Sequence, residues 1–532
     1  MNGPLPPATR EGRLLARELM ATLGAAAVSC TPKDVLAASR DAWPRLALAK
    51  MAGVNRYAPD LVVWPRDVQT VASVIAFANQ RRVPVVTIGG GGGANGAALA
   101  VRGGIALDLK RLAAEPVINT AARTVDVQAG FNLERLEERL QAKGATLGLL
   151  PEGAAHTSVG GFLATRGGGP SSAQLGKAED LLLALEAVDG TGTILRTHEG
   201  PSRGLDLAQL LLGSEGTMAV FTSARLRIAP KPRTRLPLGL RVSSMSDGIR
   251  ALQALLRSGL RPSLARLFDP LSARLAGVHG ADRSLPGPLR GLLSSGQQEL
   301  LRAALHAPWV LNGLSEAVGG GALLVLLFDG HGDRAADDAA DEVAIARRIC
   351  EGAGARDALA AKATLSVLQH HQSALYPQLF AAGAFVEELD VAATWARLPA
   401  VLGAVRRAVA PQALLLTRIS CAYLEGAAVE VTLVGPAGSL AESAQHRRRR
   451  AKGTVREFDE ELAHAELRAE QCLSSALSAA QDAGATLSYS TGVGLARQLL
   501  LPREHGEGMR QLRALKRAFD PNGILNPGKL LL

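Results

Sequence analysis

The sequence predicts an α+β protein with more than one domain, and three observations support this prediction. The chain has 532 residues, which is too many for one ordinary hydrophobic core. From residue 58 onward, short apolar runs alternate with helical stretches, as they do in an α/β unit. Beyond residue 233, apolar runs and charged helical stretches predict an antiparallel sheet with helices on one face.

The N-terminal part is predicted to be helical up to about residue 56, because Leu14, Leu15 and Leu19 recur at helical spacing. The alternation of strands and helices then begins, and Pro65 and Asp67 open the helix VQTVASVIAFANQRR. Four apolar runs in this part predict strands, at residues 61–64, 84–88, 105–109 and 124–130.

The second part of the chain begins after Pro230 and Pro232, which mark a domain boundary. Its predicted strands are LPLGLRVSS, ALLVLLFDG, LLLTRIS and AAVEVTLV, and helical stretches at residues 247–257 and 334–352 follow the first two. A long helix, EFDEELAHAELRAEQCLSSALSAAQDAG, precedes the final segment. We therefore divide the chain into residues 1–56, 57–232, 233–485 and 486–532.

The composition narrows the classes of function. The net charge is +10, but no nucleic-acid-binding motif is present, so no nucleic-acid partner is expected. The four cysteines form no CxxC pair, and the adjacent His370 and His371 would not share a helix face, so no metal is expected. The chain has no signal-peptide core and no long apolar stretch, which predicts a cytoplasmic location. The basic run at residues 446–450 would suit anionic lipid, although a solvated loop is the simpler interpretation.

The first motif with chemical meaning is TIGGGGGANGAAL, which directly follows a predicted strand. Neighbouring glycines let backbone N–H groups converge on an anion, because no Cβ blocks its approach. Gly91, Gly93 and Gly96 also satisfy GxGxxG, the dinucleotide-binding fingerprint of Rossmann folds. That fingerprint needs a helix that begins at the glycines, whereas here the strand IALDL follows too soon, so the Rossmann interpretation is poor. A structural glycine turn without a ligand stays an alternative.

Two further glycine-rich loops follow along the chain. In PEGAAHTSVGGFLATRGGG, Thr157 and Ser158 supply hydroxyl groups, while Gly160 and Gly161 expose backbone amides. In GSEGTMAVFTSARLRI, glycines on both sides of Glu215 make a tight turn before a strand. Each loop alone would suit a purely structural role as well as it would suit cofactor binding.

The order and spacing of the three loops resemble the FAD-binding domain of the vanillyl-alcohol oxidase superfamily, also called the PCMH-type domain. PDLVVWPRDVQTVASVIAFANQRRVPVVTIGGG is similar to the opening of that domain, and FDPNGILNPGKLL is similar to the C-terminal signature of the FAD-linked oxidases. That subgroup includes the glycolate oxidase flavin subunit, D-lactate dehydrogenases and alkyldihydroxyacetonephosphate synthase. The stretches DLVVWP, EGPSRGLDLAQLLLGSEGT and SLARLFD are most similar to the synthase.

The resemblance implies the following architecture and cofactor. Residues 57–232 would form a two-subdomain FAD-binding domain, residues 233–485 a substrate or cap domain with an antiparallel sheet covered by helices, and residues 486–532 a segment that returns to the FAD domain. The implied cofactor is non-covalent FAD, with its pyrophosphate on the first loop. The implied FAD contacts are Thr87, Ile88, Gly89, Gly90, Gly91, Gly92, Gly93, Ala94 and Asn95 in the first loop, Glu152, Thr157, Ser158, Gly161, Leu163, Thr165 and Arg166 in the second, and Glu215, Gly216, Ala219, Val220 and Phe221 in the third.

The chain departs from this family in two of the FAD loops. Relatives usually carry a hydroxyl side chain late in the first loop, where this chain has Gly92 and Gly93. The loss of one such hydrogen bond costs about 0.5–1.5 kcal/mol. Ala219 replaces a glycine of the third loop, and its methyl group is expected to crowd the flavin slightly. Weaker FAD binding is therefore expected.

The departures at the catalytic positions are larger. Relatives carry histidines just before a G-[VI]-G near the C-terminus, where this chain has Tyr489, Ser490 and Thr491 in SYSTGVG. The acid/base tyrosine of the synthase corresponds to Glu430, and no arginine lies near Phe380, where the synthase's phosphate-binding arginine would fall. The chemistry of this chain therefore needs other residues.

Four residues are the catalytic candidates. Arg266 and Arg418 match family active-site positions and would pair with a substrate carboxylate, with structural ion pairs as the alternative. Glu430 could take a proton from a 2-hydroxy acid or alcohol as hydride passes to flavin N5, unless it is only a surface carboxylate. Tyr489 has an ordinary pKa near 10 and could act only if it were activated.

These observations favour an FAD-dependent oxidoreductase that acts on a hydroxylated or carboxylated small molecule. Two alternatives stay open: a transferase of ether-lipid synthesis that is similar to alkyldihydroxyacetonephosphate synthase, and a catalytically degenerate flavin-binding protein. The expected partner is a small-molecule substrate, while a peripheral membrane contact and a homodimer stay open.

Overall fold

The computed structural model describes residues 9–52, 54–198, 204–277, 302, 305–317, 321–361, 364–365, 375–438 and 455–532. The histidine pair at residues 370 and 371 and the basic run at residues 446–450 lie outside the described residues. The expectations that concern them therefore stay predictions.

The chain divides into two compact units, and each is described by itself. Unit 1 comprises Met1–Trp43, Gly53–Lys231 and Ser490–Leu532. Unit 2 comprises Pro44–Ala52 and Pro232–Tyr489.

The strands are numbered in chain order. They are β1 (Val28–Ser29), β2 (Leu61–Val63), β3 (Val85–Ile88), β4 (Ile105–Asp108), β5 (Val117–Asn119), β6 (Thr124–Gln128), β7 (Ala145–Thr146), β8 (Leu182–Asp189), β9 (Ile194–Arg196), β10 (Ala219–Arg227), β11 (Ala229–Pro230), β12 (Thr234–Val242), β13 (Leu264–Phe268), β14 (Ala322–Gly330), β15 (Arg356–Leu359), β16 (Ala384–Thr394), β17 (Leu414–Ala422) and β18 (Gly426–Pro436).

The α-helices flank these strands in both units. They are Arg10–Leu23, Pro32–Ala37, Leu46–Ala52, Val68–Arg81, Leu133–Ala142, Val159–Ala164, Ser172–Leu175, Ala178–Leu181, Leu207–Leu211, Met245–Arg257, Pro270–Gly277, Pro308–Ala317, Ala335–Gly352, Tyr376–Ala381, Leu398–Val409, Val455–Asp482, Gly494–Arg497, Leu501–His505 and Gly508–Phe519. Within the described part of the chain, none of them combines the length and apolar character that crossing a membrane requires.

Unit 1 is built on two main sheets. The four-stranded sheet has the order β1-β2-β4-β3, in which β2 and β3 both run parallel to β4. Every residue of β2 and β4 is buried, as expected for parallel strands that are covered on both faces. The five-stranded sheet is antiparallel in the order β5-β6-β10-β8-β9, and β7 pairs with β11 in a small ribbon.

The sequence predictions for this region are confirmed with one correction. The four predicted strands correspond to β2, β3, β4 and β6, and the predicted helix is Val68–Arg81 with Asp67 as its N-cap. The first 56 residues are not wholly helical, because β1 pairs antiparallel with β2 and extends the sheet at its edge. Residues 89–104 are all described and contain no helix, which excludes the Rossmann interpretation of the glycine run.

Unit 2 contains a seven-stranded antiparallel sheet in the order β15-β12-β14-β13-β17-β18-β16. The four predicted strands correspond to β12, β14, β17 and β18. The sequence pattern did not predict β13, β15 and β16. β13 is only five residues long and contains an arginine, while in β16 three acidic residues interrupt the apolar pattern. Cross-strand pairing therefore determined these strands more than the local hydrophobic period did.

A buried ion pair fixes the C-terminal segment of unit 1. Lys516 Nζ donates to the Asp520 carboxylate and to the carbonyl oxygens of Thr217 and Leu525, the latter two at 2.6 and 2.8 Å. The Asp520 carboxylate also accepts hydrogen bonds from the N–H groups of Ile524 and Leu525, at 3.0 and 2.7 Å. Burial lowers the pKa of Lys516, and the neighbouring carboxylate opposes that shift.

The tail that follows this ion pair joins the edge of β3. Val85 donates its N–H to the Ile524 carbonyl at 2.8 Å, and Asn526 donates its N–H to the Val85 carbonyl at 2.7 Å. Leu525 therefore forms a parallel bridge with Val85. Because β3 leads directly into the glycine run, the C-terminal signature supports the base of that loop.

We expect Asp520→Ala to destabilise unit 1 by about 3–5 kcal/mol, because the change leaves the Lys516 ammonium buried without its carboxylate. The matched control is Asn522→Ala, which removes only an exposed hydrogen bond to Asn79 and should cost about 1 kcal/mol or less. The first unfolding transition in urea measures both. Equal shifts for the two variants would contradict the role assigned to the ion pair.

Candidate cofactor site and polar strand face

The glycine run after β3 lies against the second loop so closely that side chains cannot be accommodated. A Cβ on Gly89 would lie 2.1 Å from Ser158 Oγ, and a Cβ on Gly90 would lie 2.0 Å from the carbonyl oxygen of His156. A Cβ on Gly92 would lie 2.6 Å from that same oxygen. Glycine is therefore required here for the approach of two backbones, not only for loop flexibility.

The opposite side of the run can receive an anion. Gly91 has φ +82°, and a Cβ at this position would meet nothing within 4 Å. The N–H groups of Gly90, Gly91 and Gly92 donate to no protein atom among the residues that the structure describes. Thr87 Oγ1 is likewise buried without a hydrogen-bond partner in the described part of the chain. Unpaired backbone donors beside an open face fit a pyrophosphate group.

The second loop is held by its own side-chain hydrogen bonds. Ser158 caps the helix Val159–Ala164, and its Oγ accepts a hydrogen bond from the Gly161 N–H at 3.2 Å. Thr157 Oγ1 donates to the Gly153 carbonyl at 2.8 Å. These two hydroxyl groups, which we expected to face the cofactor, therefore already stabilise the loop itself.

The end of the second loop is engaged with the protein as well. Arg166 has φ +50°, and its Nη2 donates to the Gln209 carbonyl at 2.8 Å. Thr165 Oγ1 donates to the Gly161 carbonyl at 3.2 Å. A contact between the Arg166 guanidinium and FAD stays a prediction, and the structure already gives that guanidinium a protein acceptor.

The third loop turns at Glu215, whose side chain is almost fully buried and whose φ is +49°. Its carboxylate accepts hydrogen bonds from the N–H groups of Val493 and Gly494, which belong to the C-terminal TGVG sequence. Burial raises the pKa of Glu215, whereas the two N–H donors and the nearby Arg497 and Lys529 lower it. The side chain therefore ties the third loop to the C-terminal segment.

Asn95, at the end of the first loop, binds the same C-terminal segment. Its Nδ2 donates to the carbonyl oxygens of Thr491 and Gly492 at 3.0 and 3.1 Å. Its own carbonyl accepts from the N–H groups of Leu495 and Ala496, at 2.8 and 3.1 Å. The Asn95 side chain thus positions the loop, while its expected contact with FAD stays a prediction.

Asn526, in the C-terminal signature, completes the network. Its Nδ2 donates to the Ala97 carbonyl at 2.9 Å and to the Glu215 carbonyl at 2.7 Å. Lys529 Nζ donates to the Leu99 carbonyl at 2.7 Å. The signature therefore joins the first and third loops, which explains why a motif so far along the sequence accompanies them.

The expected cofactor contacts differ in burial. Ala219, Val220 and Phe221 lie in the main hydrophobic core of unit 1, so the methyl group of Ala219 is already accommodated by protein packing. Gly93 is exposed; the half-buried residues are Thr87, Gly89, Gly90, Gly91, Gly92, Ala94, Glu152, Thr157, Gly161, Thr165, Arg166 and Gly216, and the buried ones are Ile88, Asn95, Ser158, Leu163, Glu215, Ala219, Val220 and Phe221.

In unit 2, four charged residues form what we call the polar row: Arg266, Arg418, Glu430 and Asp390. Glu430 pairs in register with Arg418 on one side and with Asp390 on the other. Phe268 pairs with Arg418, and Arg266 precedes Phe268 by two residues, so it points to the same face of the sheet. The structure therefore brings three of the four catalytic candidates onto one strand face.

Two members of the polar row bind each other. Both Nε and Nη2 of Arg418 donate to Glu430 Oε2, with the Nε distance at 2.9 Å. No donor to Glu430 Oε1 is present in the described part of the chain. The Arg418 side chain is buried and that of Glu430 is one-third exposed, at 35%. The structural ion pair that was the alternative interpretation of Arg418 is thus present. It leaves Glu430 Oε1 without a donor among the described residues.

Tyr489, the fourth candidate, lies beside the polar row. Its N–H donates to the Asp390 carbonyl at 3.1 Å, and its hydroxyl group is hydrogen-bonded to that of Tyr423. Burial raises the pKa of the Tyr489 phenol well above its ordinary value, and Cys421 and Tyr423 raise it further. The phenol is therefore neutral at physiological pH, which suits a hydrogen-bond donor and not a general base.

The sequence did not predict the positions of Asp390, Asn526 and Asp41 beside these sites. Asp390 lies in a strand that was not predicted, and Ser488 Oγ donates to its Oδ1 at 3.3 Å. Asn526 was visible in the C-terminal signature, but only as a family motif. Asp41 carried no motif, and its place beside the glycine run is visible only in three dimensions.

Two family models match this chain. The FAD binding domain matches residues 59–198, and the C-terminal domain of FAD linked oxidases matches residues 231–530. The second match alone covers more than half of the 532 residues. FAD is thus the cofactor, as the resemblance implied.

Several curated proteins are similar over part of the chain. Alkyldihydroxyacetonephosphate synthase of Dictyostelium discoideum is 27% identical over 258 residues, which are 48% of this chain and 41% of that protein. The mitochondrial D-lactate dehydrogenase (cytochrome) of Arabidopsis thaliana is 29% identical over 41% of this chain and 38% of its own length. D-2-hydroxyglutarate dehydrogenase of Xanthomonas citri pv. viticola is 30% identical, over 42% of this chain and 48% of its own length. The match thus spans less than half of each relative.

Solved structures share the whole fold. A structure of alkyldihydroxyacetonephosphate synthase has a TM-score of 0.71 and 20% identity, covering 99% of this chain and 86% of its own. Substrate-bound p-cresol methylhydroxylase has a TM-score of 0.67 and 16% identity, covering 99% of this chain and 98% of its own. These likenesses confirm the PCMH-type fold.

We expect Gly494→Ala to weaken FAD binding more than tenfold, because the new Cβ would lie 2.1 Å from the Asn95 carbonyl and displace the first loop. The matched control is Gly506→Ala, since Gly506 has a similar φ of +50° but nothing within 4 Å of its Cβ position. The control should lose only about 1–3 kcal/mol of stability from backbone strain and keep its affinity. Flavin fluorescence titration measures both, and an equal loss of affinity would contradict the clash.

Proposed function

This chain belongs to the family of FAD-linked oxidases, and on that premise we propose that it is an FAD-dependent oxidoreductase acting on a hydroxylated, carboxylated small molecule. The observation that carries the proposal is the polar row of unit 2, in which Arg418 holds Glu430 by a single carboxylate oxygen. The buried Arg418 fixes one oxygen of Glu430, while the Glu430 side chain is one-third exposed, so its second oxygen can be reached by a ligand.

The arginines of the polar row suit a carboxylate ligand. Arg266 and Arg418 are both buried and lie on adjacent strands of one sheet face. A guanidinium group binds a carboxylate through parallel N–H donors, and burial strengthens such a contact. Arg266 would hold the carboxylate of a substrate, and Arg418 would add a contact through Nη1, because its Nε and Nη2 donate to Glu430. These contacts would fix the position of the hydroxyl-bearing carbon.

Glu430 is the better proton acceptor of the two candidates. The Tyr489 phenol is held neutral by burial, so it can exchange hydrogen bonds but cannot take up a proton as a phenolate base would. Glu430 is held in place through Oε2, so Oε1 could take the proton of a substrate hydroxyl group. This assigns the base to the position where the synthase has its acid/base tyrosine.

The overall reaction balances with two electrons and two protons. A 2-hydroxy acid loses hydride from its carbon and a proton from its hydroxyl group, and it becomes a 2-oxo acid. FAD, when bound, supplies the hydride acceptor. The residues of this chain would bind the carboxylate through arginine and accept the hydroxyl proton at Glu430.

Two relatives support 2-hydroxy acids as the substrate class. One is named D-lactate dehydrogenase and another D-2-hydroxyglutarate dehydrogenase, although each is matched over less than half of its length. Both names describe molecules with a hydroxyl group next to a carboxylate. Such molecules carry the two groups that the polar row is equipped to bind.

The purified protein should therefore lose its visible flavin absorbance when mixed anaerobically with a 2-hydroxy acid. A panel of D-lactate, D-2-hydroxyglutarate and simple alcohols tests this, because alcohols lack the carboxylate that the arginines would bind. We expect reduction by at least one hydroxy acid and little by the alcohols. Bound flavin that no donor reduces would contradict the proposal and favour a degenerate flavin-binding protein.

Arg418→Lys should weaken the apparent affinity for the hydroxy acid roughly ten- to a hundredfold, because a lysine cannot replace the planar guanidinium fork. The matched control is Arg235→Lys, which alters a strand ion pair with Asp329 whose arginine is half exposed. The control should leave the affinity unchanged. Flavin reduction in a stopped-flow instrument measures both, and similar values for the two variants would remove Arg418 from the substrate site.

A second candidate function is exchange of an acyl chain for a fatty alcohol, as expected of an alkyldihydroxyacetonephosphate synthase-like transferase. The 27% identity to the synthase of Dictyostelium discoideum, over 48% of this chain, favours it. The chain lacks the synthase's tyrosine, histidines and phosphate-binding arginine, which argues against it. Turnover of acyl-dihydroxyacetone phosphate with hexadecanol would establish this function in place of the first.

A further inference from the structure

Asp41 lies next to the glycine run, although it belongs to none of the three FAD loops. It precedes a turn in which the Trp43 N–H donates to Asp41 Oδ1 at 3.1 Å. The neighbouring Ala42 donates its N–H to the Gly93 carbonyl at 3.0 Å. The Asp41 segment is therefore fixed to the end of the run that carries the unpaired N–H groups.

The second carboxyl oxygen of Asp41 points toward that run. Oδ2 is buried and has no hydrogen-bond partner among the residues that the structure describes. A Cβ on Gly93 would meet only this atom, at 3.9 Å. A buried carboxyl oxygen without a donor is costly, so a native structure that keeps one calls for an explanation.

The surrounding charges do not neutralise Asp41 directly. The cation that acts on it is Lys529, whose Nζ donates to the Leu99 carbonyl and to Asn526 Oδ1. Lys529 also interacts with the Glu215 carboxyl group, so two buried acids share its charge. Burial accordingly raises the pKa of Asp41 to about 7. Hydrogen bonds from the backbone N–H groups of Trp43 and Gly96 and the positive charge of Lys529 oppose this rise but are weaker.

We propose that Asp41 is a further cofactor-binding residue, which as a neutral carboxylic acid donates a hydrogen bond from Oδ2 to the FAD pyrophosphate. An ionised carboxylate beside the run would repel that dianion, and low dielectric would strengthen the repulsion. Protonation turns the same buried oxygen into a donor, and the pyrophosphate then gives it the partner that it lacks among the described residues. Asp41 thus supplies a hydroxyl donor that the first loop lacks, because this chain has Gly92 and Gly93 where relatives carry a hydroxyl side chain.

This role couples FAD binding to the uptake of a proton. Before binding, Asp41 is about half ionised near pH 7, whereas the bound form requires the acid to be protonated. FAD affinity should therefore fall as pH rises above about 7, and it should be constant well below that value. With one proton involved, the dissociation constant should be about tenfold larger at pH 8 than at pH 6.

The test measures FAD affinity against pH after the cofactor has been removed from the purified protein. Wild type should show the tenfold rise, and Asp41→Asn should show a flat profile, because the amide donates at every pH. The pKa of Lys529, lowered by burial to about 8, could produce a similar slope, and that slope would survive in Asp41→Asn. A matched control is Asp126→Asn, which alters only a half-exposed ion pair with Arg225 and should keep the wild-type profile.

A second measurement uses only the wild-type protein, so it holds even if the variant folds poorly. Calorimetric titration with FAD in two buffers of different ionisation heat counts the protons exchanged on binding. We expect uptake of about half a proton per FAD at pH 7 and close to one at pH 8. Proton release, no exchange at pH 8, or a pH slope that persists in Asp41→Asn would overturn the assignment. None of these results depends on enzyme turnover.

Discussion

The FAD loops of unit 1 depend on one buried carboxylate, that of Glu215. It accepts hydrogen bonds from two consecutive N–H groups, at Val493 and Gly494, and so joins the third loop to a segment almost three hundred residues away. Asn95 binds the same segment from the first loop, and Asn526 connects both loops to the C-terminal signature. Glycine-rich loops lose much conformational entropy on ordering, and this network offsets that loss.

The same network explains how an altered first loop can still suit a pyrophosphate. The family hydroxyl is missing at Gly92 and Gly93, but Thr87 Oγ1, at the end of β3, is buried and has no hydrogen-bond partner among the described residues. Under our proposal, Asp41 adds a donor from outside the loop. The charge at the site would then depend on whether the Asp41 carboxyl group is protonated. The ammonium group of Lys529 interacts with both Asp41 and Glu215 and partly offsets their negative charge.

The sequence predicted most strands from local patterns, whereas the cofactor followed from the order and spacing of the three glycine-rich loops along the chain. The glycine run shows the limit of such patterns. The following strand excluded a Rossmann fold, but only the structure shows that a Cβ at Gly90 would clash with the His156 carbonyl oxygen. The strand that carries Asp390 was missed, because its acidic residues are buried by pairing with neighbouring strands. Asp41 was missed for a related reason, since the approach of distant segments made its carboxyl group important and no local signal recorded it.

The central claim is that this chain binds FAD through its glycine run, without a covalent bond. The most direct measurement is the absorbance spectrum of the purified protein, recorded before and after denaturation and filtration. The account predicts flavin bands in the native protein and intact FAD in the filtrate, with no colour left on the denatured chain. A colourless protein that gains no thermal stability from added FAD would contradict the claim, and flavin retained on the denatured chain would contradict non-covalent binding.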